Sequence, residues 1–239
     1  MIELVDATVT AYGPPEDHGR AGIVTLLHPT TCTLGERRIA VIGANGSGKS
    51  TLARLLNGLV RPSAGTVTVD GLDTVTQGVQ VRRRVGFCFT DPDAQLVMPT
   101  PLEDVALSLR RLDLTPQERT RRAREVLARF GLAERAEVPV HALSGGQKQL
   151  LALAGVLATE HAVLVCDEPT TLLDLRWKLV VDDLLDALEQ QVVQVTHDLE
   201  AAARADRVLV VDDGRVVHDG DPRAGVEHYA ALMAGGTTR

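Results

Sequence analysis

Three short stretches carry residues whose types and spacing suit phosphate chemistry. The first, Gly43-Ala44-Asn45-Gly46-Ser47-Gly48-Lys49-Ser50, combines flexible glycines with a lysine and a hydroxyl in the pattern of a phosphate-binding loop. Glycine lets backbone N–H groups curl around phosphate oxygens, and a helix starting near Lys49 aims the positive end of its dipole at them. Lys49 is expected to reach the β- and γ-phosphates of a nucleoside triphosphate, while the Ser50 hydroxyl ligates Mg²⁺. The second stretch is an apolar run over residues 162–166 that ends in Asp167-Glu168. Asp167 is expected to hold Mg²⁺ through water, and Glu168 to orient or deprotonate the attacking water. In the third, Leu143-Ser144-Gly145-Gly146-Gln147, a hydroxyl and two glycines open a helix, which makes a second anion site.

The elements that must place these residues can be read from periodicity. A compact apolar strand over residues 37–42 runs into the glycine-rich turn, and residues 50–59 continue with helical spacing. Strands are expected at 2–10, 23–34, 66–70, 85–89, 162–166 and 192–195, with a polar loop at 13–22. Helices are expected at 146–158 and 176–190, and residues 101–138 show helical spacing with little strand character. Strands alternating with helices imply an α/β fold with a mainly parallel sheet covered on both faces. The composition shift suggests one domain over 1–239, with a nucleotide-binding core at about 1–90 and 155–239 and an inserted helical subdomain at about 91–154.

Composition narrows the function further. A hydrophobic content of 44% supplies a real core, and with only 3% aromatics that core must be built from Leu, Val and Ala. The net charge of −7 argues against nucleic acid as a partner. The densest basic stretch, 119–129, also holds Glu118 and Glu125, and the i,i+4 spacings Glu118/Arg122 and Arg121/Glu125 mark a solvated helix face. Cys32, Cys88 and Cys166 form no C-x-x-C pair and sit in apolar, strand-like contexts, which fits a reducing cytoplasm. The first residues lack the character of a secretory signal, and the longest apolar run, 150–158, is too short to span a bilayer. A membrane role would have to come through partners.

Taken in order, these motifs resemble an ABC-type ATPase cassette along essentially the whole chain, a P-loop NTPase core with an N-terminal antiparallel β part. The resemblance makes Ser144, Gly145, Gly146 and Gln147 the signature motif, which contacts the γ-phosphate held by a second ATPase subunit, identical or paralogous. It adds nucleotide contacts from Tyr12, stacked on adenine, and from Asn45, Gly46, Ser47, Gly48, Lys49, Ser50 and Thr51. Thr171-Leu172-Leu173-Asp174 is similar to the D-loop, with Asp174 the matching part, and His197 in Thr196-His197-Asp198 resembles the histidine that senses γ-phosphate. One departure stands out: the family usually has Gln where this chain has Thr90, whose shorter side chain is expected to leave a gap filled by water and to slow hydrolysis. Asp91-Pro92-Asp93-Ala94-Gln95-Leu96 resembles the short helix of ATPases in energy-coupling-factor transporters, which implies membrane-protein contacts around Gln95. ATP and Mg²⁺ as ligands, a peripheral position at the cytoplasmic face of the membrane, and a cargo such as biotin or cobalt or nickel ion follow from the same resemblance. Two rivals stay open from sequence: a soluble ATPase of the same class in an assembly role, and a regulatory module that binds nucleotide without hydrolysing it.

Overall fold

Side chains alternating along short β-strands set the architecture. In the computed structural model, which describes residues 1–15, 21–171 and 173–236, they line both faces of a six-stranded sheet. Its central strand β3 (Arg38–Ile42) runs parallel to β8 (Gln191–Val195) on one side and β9 (Arg207–Asp212) on the other. Beyond β8 lie β7 (Val163–Asp167) and β6 (Val85–Cys88), also parallel, while β10 (Arg215–Gly220) closes the other edge antiparallel to β9.

The period-two pattern feeds separate cores. Ile39, Val41, Val163, Val165, Val193 and Val195 point to a core shared with α1 (Lys49–Leu55) and with a second, antiparallel sheet. That sheet has the order β2-β1-β4-β5, from β1 (Ile2–Pro15), β2 (Ala21–Leu34), β4 (Ala64–Val69) and β5 (Leu72–Asp73). On the opposite face Cys88, Leu164, Cys166 and Val192 pack with α3 (Pro101–Ser108), α4 (Pro116–Arg129), α5 (Gly145–Leu157) and α6 (Leu175–Ala187). Ala40, Ile42, Val208 and Val210 meet α7 (Leu199–Ala203) and α8 (Pro222–Gly236). Each fully buried aliphatic side chain contributes roughly 1.5–3 kcal/mol, so both sheet faces must stay covered.

Several sequence expectations need correction. The loop expected at 13–22 is narrower: β1 runs on to Pro15 and β2 starts at Ala21, with Tyr12 opposite Ile23. Proline is tolerated at a strand end, where its missing N–H breaks no interior ladder; residues 16–20 of the expected loop lie outside the described ones. The helix expected over 50–59 ends at Leu55, because Gly58 turns the chain with φ 71° while the Leu59 N–H donates to Arg54 O at 3.0 Å. Glu118 does not pair with Arg122: as the third residue of α4 it closes a capping box on Thr115, and Arg122 reaches Glu160 instead. The Arg121–Glu125 pair does form, at 2.8 Å. The short helix α2 (Gly78–Arg84), β5 and everything after Thr196 carried no expectation from periodicity.

Arg207 pins the two sheets together. Its guanidinium donates to Thr33 O of β2 (2.7 Å), to Glu36 (3.0 Å) and to Asp219 of β10 (2.8 Å). Replacing it by methionine leaves two carboxylates facing one another without their cation. Arg207→Met is expected to lower the unfolding free energy by about 2 kcal/mol, measured by urea denaturation.

Candidate functional site

The carboxyl ends of four adjacent strands, β3, β8, β7 and β6, carry the chemistry-bearing residues, as open parallel sheets require of a ligand site. Gly43 to Gly48 leave β3 in conformations that side chains resist. Gly43 has φ 155° and a Cβ there would lie 2.1 Å from Val211 O; Gly48 has φ 106° and a Cβ would lie 2.7 Å from Leu26 O. The loop is held from outside as well, since Gly214 in the β9–β10 turn donates its N–H to Ser47 O (2.8 Å) and accepts one from His28 (2.7 Å).

Lys49 is buried, and without a phosphate its ammonium donates back to the carbonyls of Gly43 (2.9 Å) and Ala44 (2.8 Å). Burial pulls its pKa below the ordinary lysine value, against the raising effect of the Glu168 and Asp167 carboxylates. Phosphate oxygens could take the place of these two main-chain acceptors. The Ser47 hydroxyl, also buried, has no hydrogen-bond partner among the described residues. An unpaired hydroxyl inside a glycine loop fits a site built for an oxygen-rich ligand.

Ser50 donates its hydroxyl to Asp167 Oδ1 at 2.8 Å, and Arg54 reaches Asp167 Oδ2 at 3.4 Å. Asp167 is 1% exposed, and a carboxylate buried so deeply needs partners such as these. Two hard oxygen donors side by side suit Mg²⁺, which keeps several waters and takes its remaining ligands from phosphate. Among the described residues no cluster of three or more His, Cys, Asp or Glu is placed to hold a metal ion.

Glu168 follows with φ 53°, a left-handed conformation that costs a non-glycine residue about 1–2 kcal/mol. Its N–H donates to Val195 O at 3.0 Å, which ties it to the end of β8. Its carboxylate lies 2.8 Å from His197 Nε2 and accepts from the Thr171 hydroxyl at 3.1 Å. The strain brings a carboxylate, an imidazole and a hydroxyl together beside the phosphate loop, an arrangement able to hold and deprotonate a water. Thr90, at the end of β6, donates its hydroxyl to the main-chain oxygen of Asp167 at 2.7 Å. That bond ties the residue after β6 to the strand carrying Asp167.

The remaining candidates lie apart from this cluster, Gly146 buried and Ser144, Gly145 and Asp174 exposed. Tyr12 is 85% exposed on β1. Ser144 caps α5 in a capping box with Gln147, Gly145 has open space around it, and no hydrogen bond or ion pair among the described residues joins this cap to the phosphate loop. Asp174 caps α6 by accepting from the Trp177 N–H at 3.0 Å; Leu172 lies outside the described residues. The amide of Gln95, expected to face a partner, is engaged internally: it accepts from Phe89 N–H (3.2 Å) and donates to Ala152 O (2.9 Å). Sequence reasoning missed Arg54, although its i+4 spacing from Ser50 on one helix face was available. It also missed the contact of Trp177 with Gly146, which only packing creates.

The sequence profile of the ABC transporter family matches residues 29–171. The biotin transport ATP-binding protein BioM of Rhizobium etli is 41% identical over 213 residues, covering 89% of this chain and 95% of BioM. The energy-coupling factor transporter ATP-binding protein EcfA1 of Halalkalibacterium halodurans is 38% identical over 206 residues, 84% of this chain and 74% of its own. Among solved structures, the dimeric ATP-binding cassette MJ0796 in a post-hydrolysis state with ADP and Pi matches with TM-score 0.80 at 29% identity, over 93% of this chain and 99% of its own.

Gly146 lies against the ring of Trp177, where an added Cβ would come within 2.2 Å of the indole. Gly146→Ala is expected to displace that ring and cost about 1–3 kcal/mol, offset by about 1 kcal/mol of helix propensity. Trp177 is the chain's single tryptophan, so its emission spectrum reports the displacement directly.

Proposed function

The chain belongs to the ABC transporter family, and from that premise we propose that it pairs with a second ATPase subunit, identical or paralogous, to drive an energy-coupling-factor importer, with biotin the favoured cargo. As a member of that family it is an ATPase, binding ATP and hydrolysing it to ADP and phosphate. The observation that carries the proposal is a site in two separated parts. Lys49, Ser50, Asp167, Glu168 and His197 converge at one sheet edge, whereas the Ser144 cap stays exposed and unbonded to them. A second copy supplies the missing half, and the dimeric state of the similar MJ0796 cassette supports this geometry.

In the proposed reaction the loop amides from Asn45 to Thr51 hold the triphosphate, Tyr12 stacks on adenine, and Lys49 exchanges the Gly43 and Ala44 carbonyls for β- and γ-phosphate oxygens. Ser50 and Asp167 would hold Mg²⁺, which would supply neutralisation of the phosphate charge. Glu168 aligns a water and takes its proton as the water oxygen bonds to the γ-phosphorus and the bond to the ADP oxygen breaks. His197 and Thr171 hold the Glu168 carboxylate in place, and the partner's signature serine binds the γ-phosphate from across the interface. Only ATP bridges both sides, so hydrolysis reopens the pair.

No helix among the described residues is long and apolar enough to cross a membrane, so the cargo path belongs to other subunits at whose cytoplasmic face this one sits. The likeness to BioM supports biotin, and the likeness to EcfA1 supports the transporter type. For the membrane contact we favour a cleft of about 990 Å³ lined by Phe87, Val97, Leu107, Arg110, Arg111 and His161 among others. Gln95 lines this cleft together with its neighbour Val97, which is 68% exposed and supports the reading of a contact around Gln95.

Glu168→Gln is expected to cut ATP turnover by roughly 10²–10⁴-fold while retaining ATP binding and lengthening the life of the ATP-bound pair. Turnover assays and size-exclusion chromatography check this, and unchanged turnover removes Glu168 from its role. Ser144→Arg is expected to abolish turnover and ATP-driven pairing while monomer ATP affinity stays within about twofold. Loss of monomer binding as well would place Ser144 in its own subunit's site.

A further inference from the structure

We propose that Gln95 is a positioning residue that, with the Asp93–Lys148 ion pair, clasps helix α5 to the strand ends of the hydrolytic site and so sets where Ser144 stands. The proposal rests on the paired-site reading above and extends it from which residues bind to what aligns the two halves.

The clasp has two points. Gln95 accepts from the Phe89 N–H (3.2 Å) at the end of β6 and donates to Ala152 O (2.9 Å) on α5. One helical turn nearer Ser144, Lys148 holds the Asp93 carboxylate with contacts of 2.7 and 2.9 Å. Lys148 and Ala152 stand at i and i+4, on one face of α5, so two neighbouring contacts fix the direction of the helix axis as well as its distance. The turn that carries Asp93 and Gln95 is itself stiff. Pro92 opens it, Asp91 accepts from the Asp93 N–H at 3.0 Å, and the Gln95 N–H donates to Pro92 O at 3.0 Å.

On the side of the site, Phe89 is followed by Thr90, whose hydroxyl holds the Asp167 carbonyl. An unbroken route therefore runs from the main chain of Asp167 through Thr90 and Phe89 to Gln95, and from Gln95 and Asp93 to α5 and its cap. The glutamine usual at position 90 would reach toward the metal. Here threonine grips the main chain of the strand, and a glutamine five residues later makes the bridging contacts to α5. The Gln95 amide is half-buried with its oxygen and its nitrogen both engaged, and nothing in the hydrolytic chemistry uses it, so alignment is the role left for so specific a placement.

The test uses the full chain with its partners and Mg²⁺-ATP. Gln95→Leu removes both bonds at similar volume; Gln95→Glu keeps the acceptor and loses the donor. Expected are turnover at saturating ATP down about tenfold for leucine and less for glutamate, with monomer ATP affinity within about twofold. Asp93→Lys alone should depress turnover, and the swap Asp93→Lys/Lys148→Asp should recover at least half of the loss. Hydrogen exchange at the start of α5 should rise in Gln95→Leu without nucleotide, a readout independent of turnover. The inference is overturned if Gln95→Leu matches the wild type in turnover and exchange, if ATP affinity falls in step with turnover, or if the swap does no better than the single reversal. If the wild type itself neither pairs nor hydrolyses, the paired-site reading fails instead, and the exchange measurement alone then decides whether the clasp holds α5.

Discussion

A carboxylate 1% exposed at the end of a central parallel strand is the constraint around which this molecule is arranged. Asp167 accepts from Ser50 and pairs with Arg54, and both partners come from the helix that follows the glycine loop after β3. Removing the sheet pairing that sets β3 one strand away from β7 would strand a buried anion. The register of the six-stranded sheet is thus an electrostatic requirement as well as a hydrophobic one.

The same placement explains where strain is tolerated. Gly43 and Gly48 adopt conformations closed to other residues because the loop lies against Val211 and Leu26, and Glu168 adopts one that costs energy because its carboxylate must meet His197. These positions sit where β9, β2 and β8 press on the site, so the surrounding packing holds what local preference resists. Lys49 shows the same constraint for charge: its buried ammonium is held by the carbonyls of its own loop.

Separation is the second theme. Lys49, Ser50, Asp167, Glu168 and His197 converge at one sheet edge, while the capped start of α5 and Asp174 at the start of α6 remain at the surface. A cassette built this way is sensitive to anything that shifts α5 against the sheet, and the contacts of Gln95, Lys148 and Trp177 with that helix are where such a shift would be felt.

The sequence by itself determined the chemistry and most of the frame. The spacing from Gly43 to Ser50, the acidic pair after an apolar strand, and the alternation in β3, β7 and β8 are local patterns, and local patterns survive in one dimension. Tertiary structure alone decided the rest. The antiparallel extension to Pro15, the capture of Glu118 by Thr115 in place of Arg122, the end of α1 at Leu55 before the Gly58 turn, the bond of Thr90 to a main-chain oxygen and the bridging of two distant segments by Gln95 all involve a choice between partners. A side-chain amide or hydroxyl can satisfy itself in many ways, and which one is realised depends on which backbone groups packing leaves within about 3 Å.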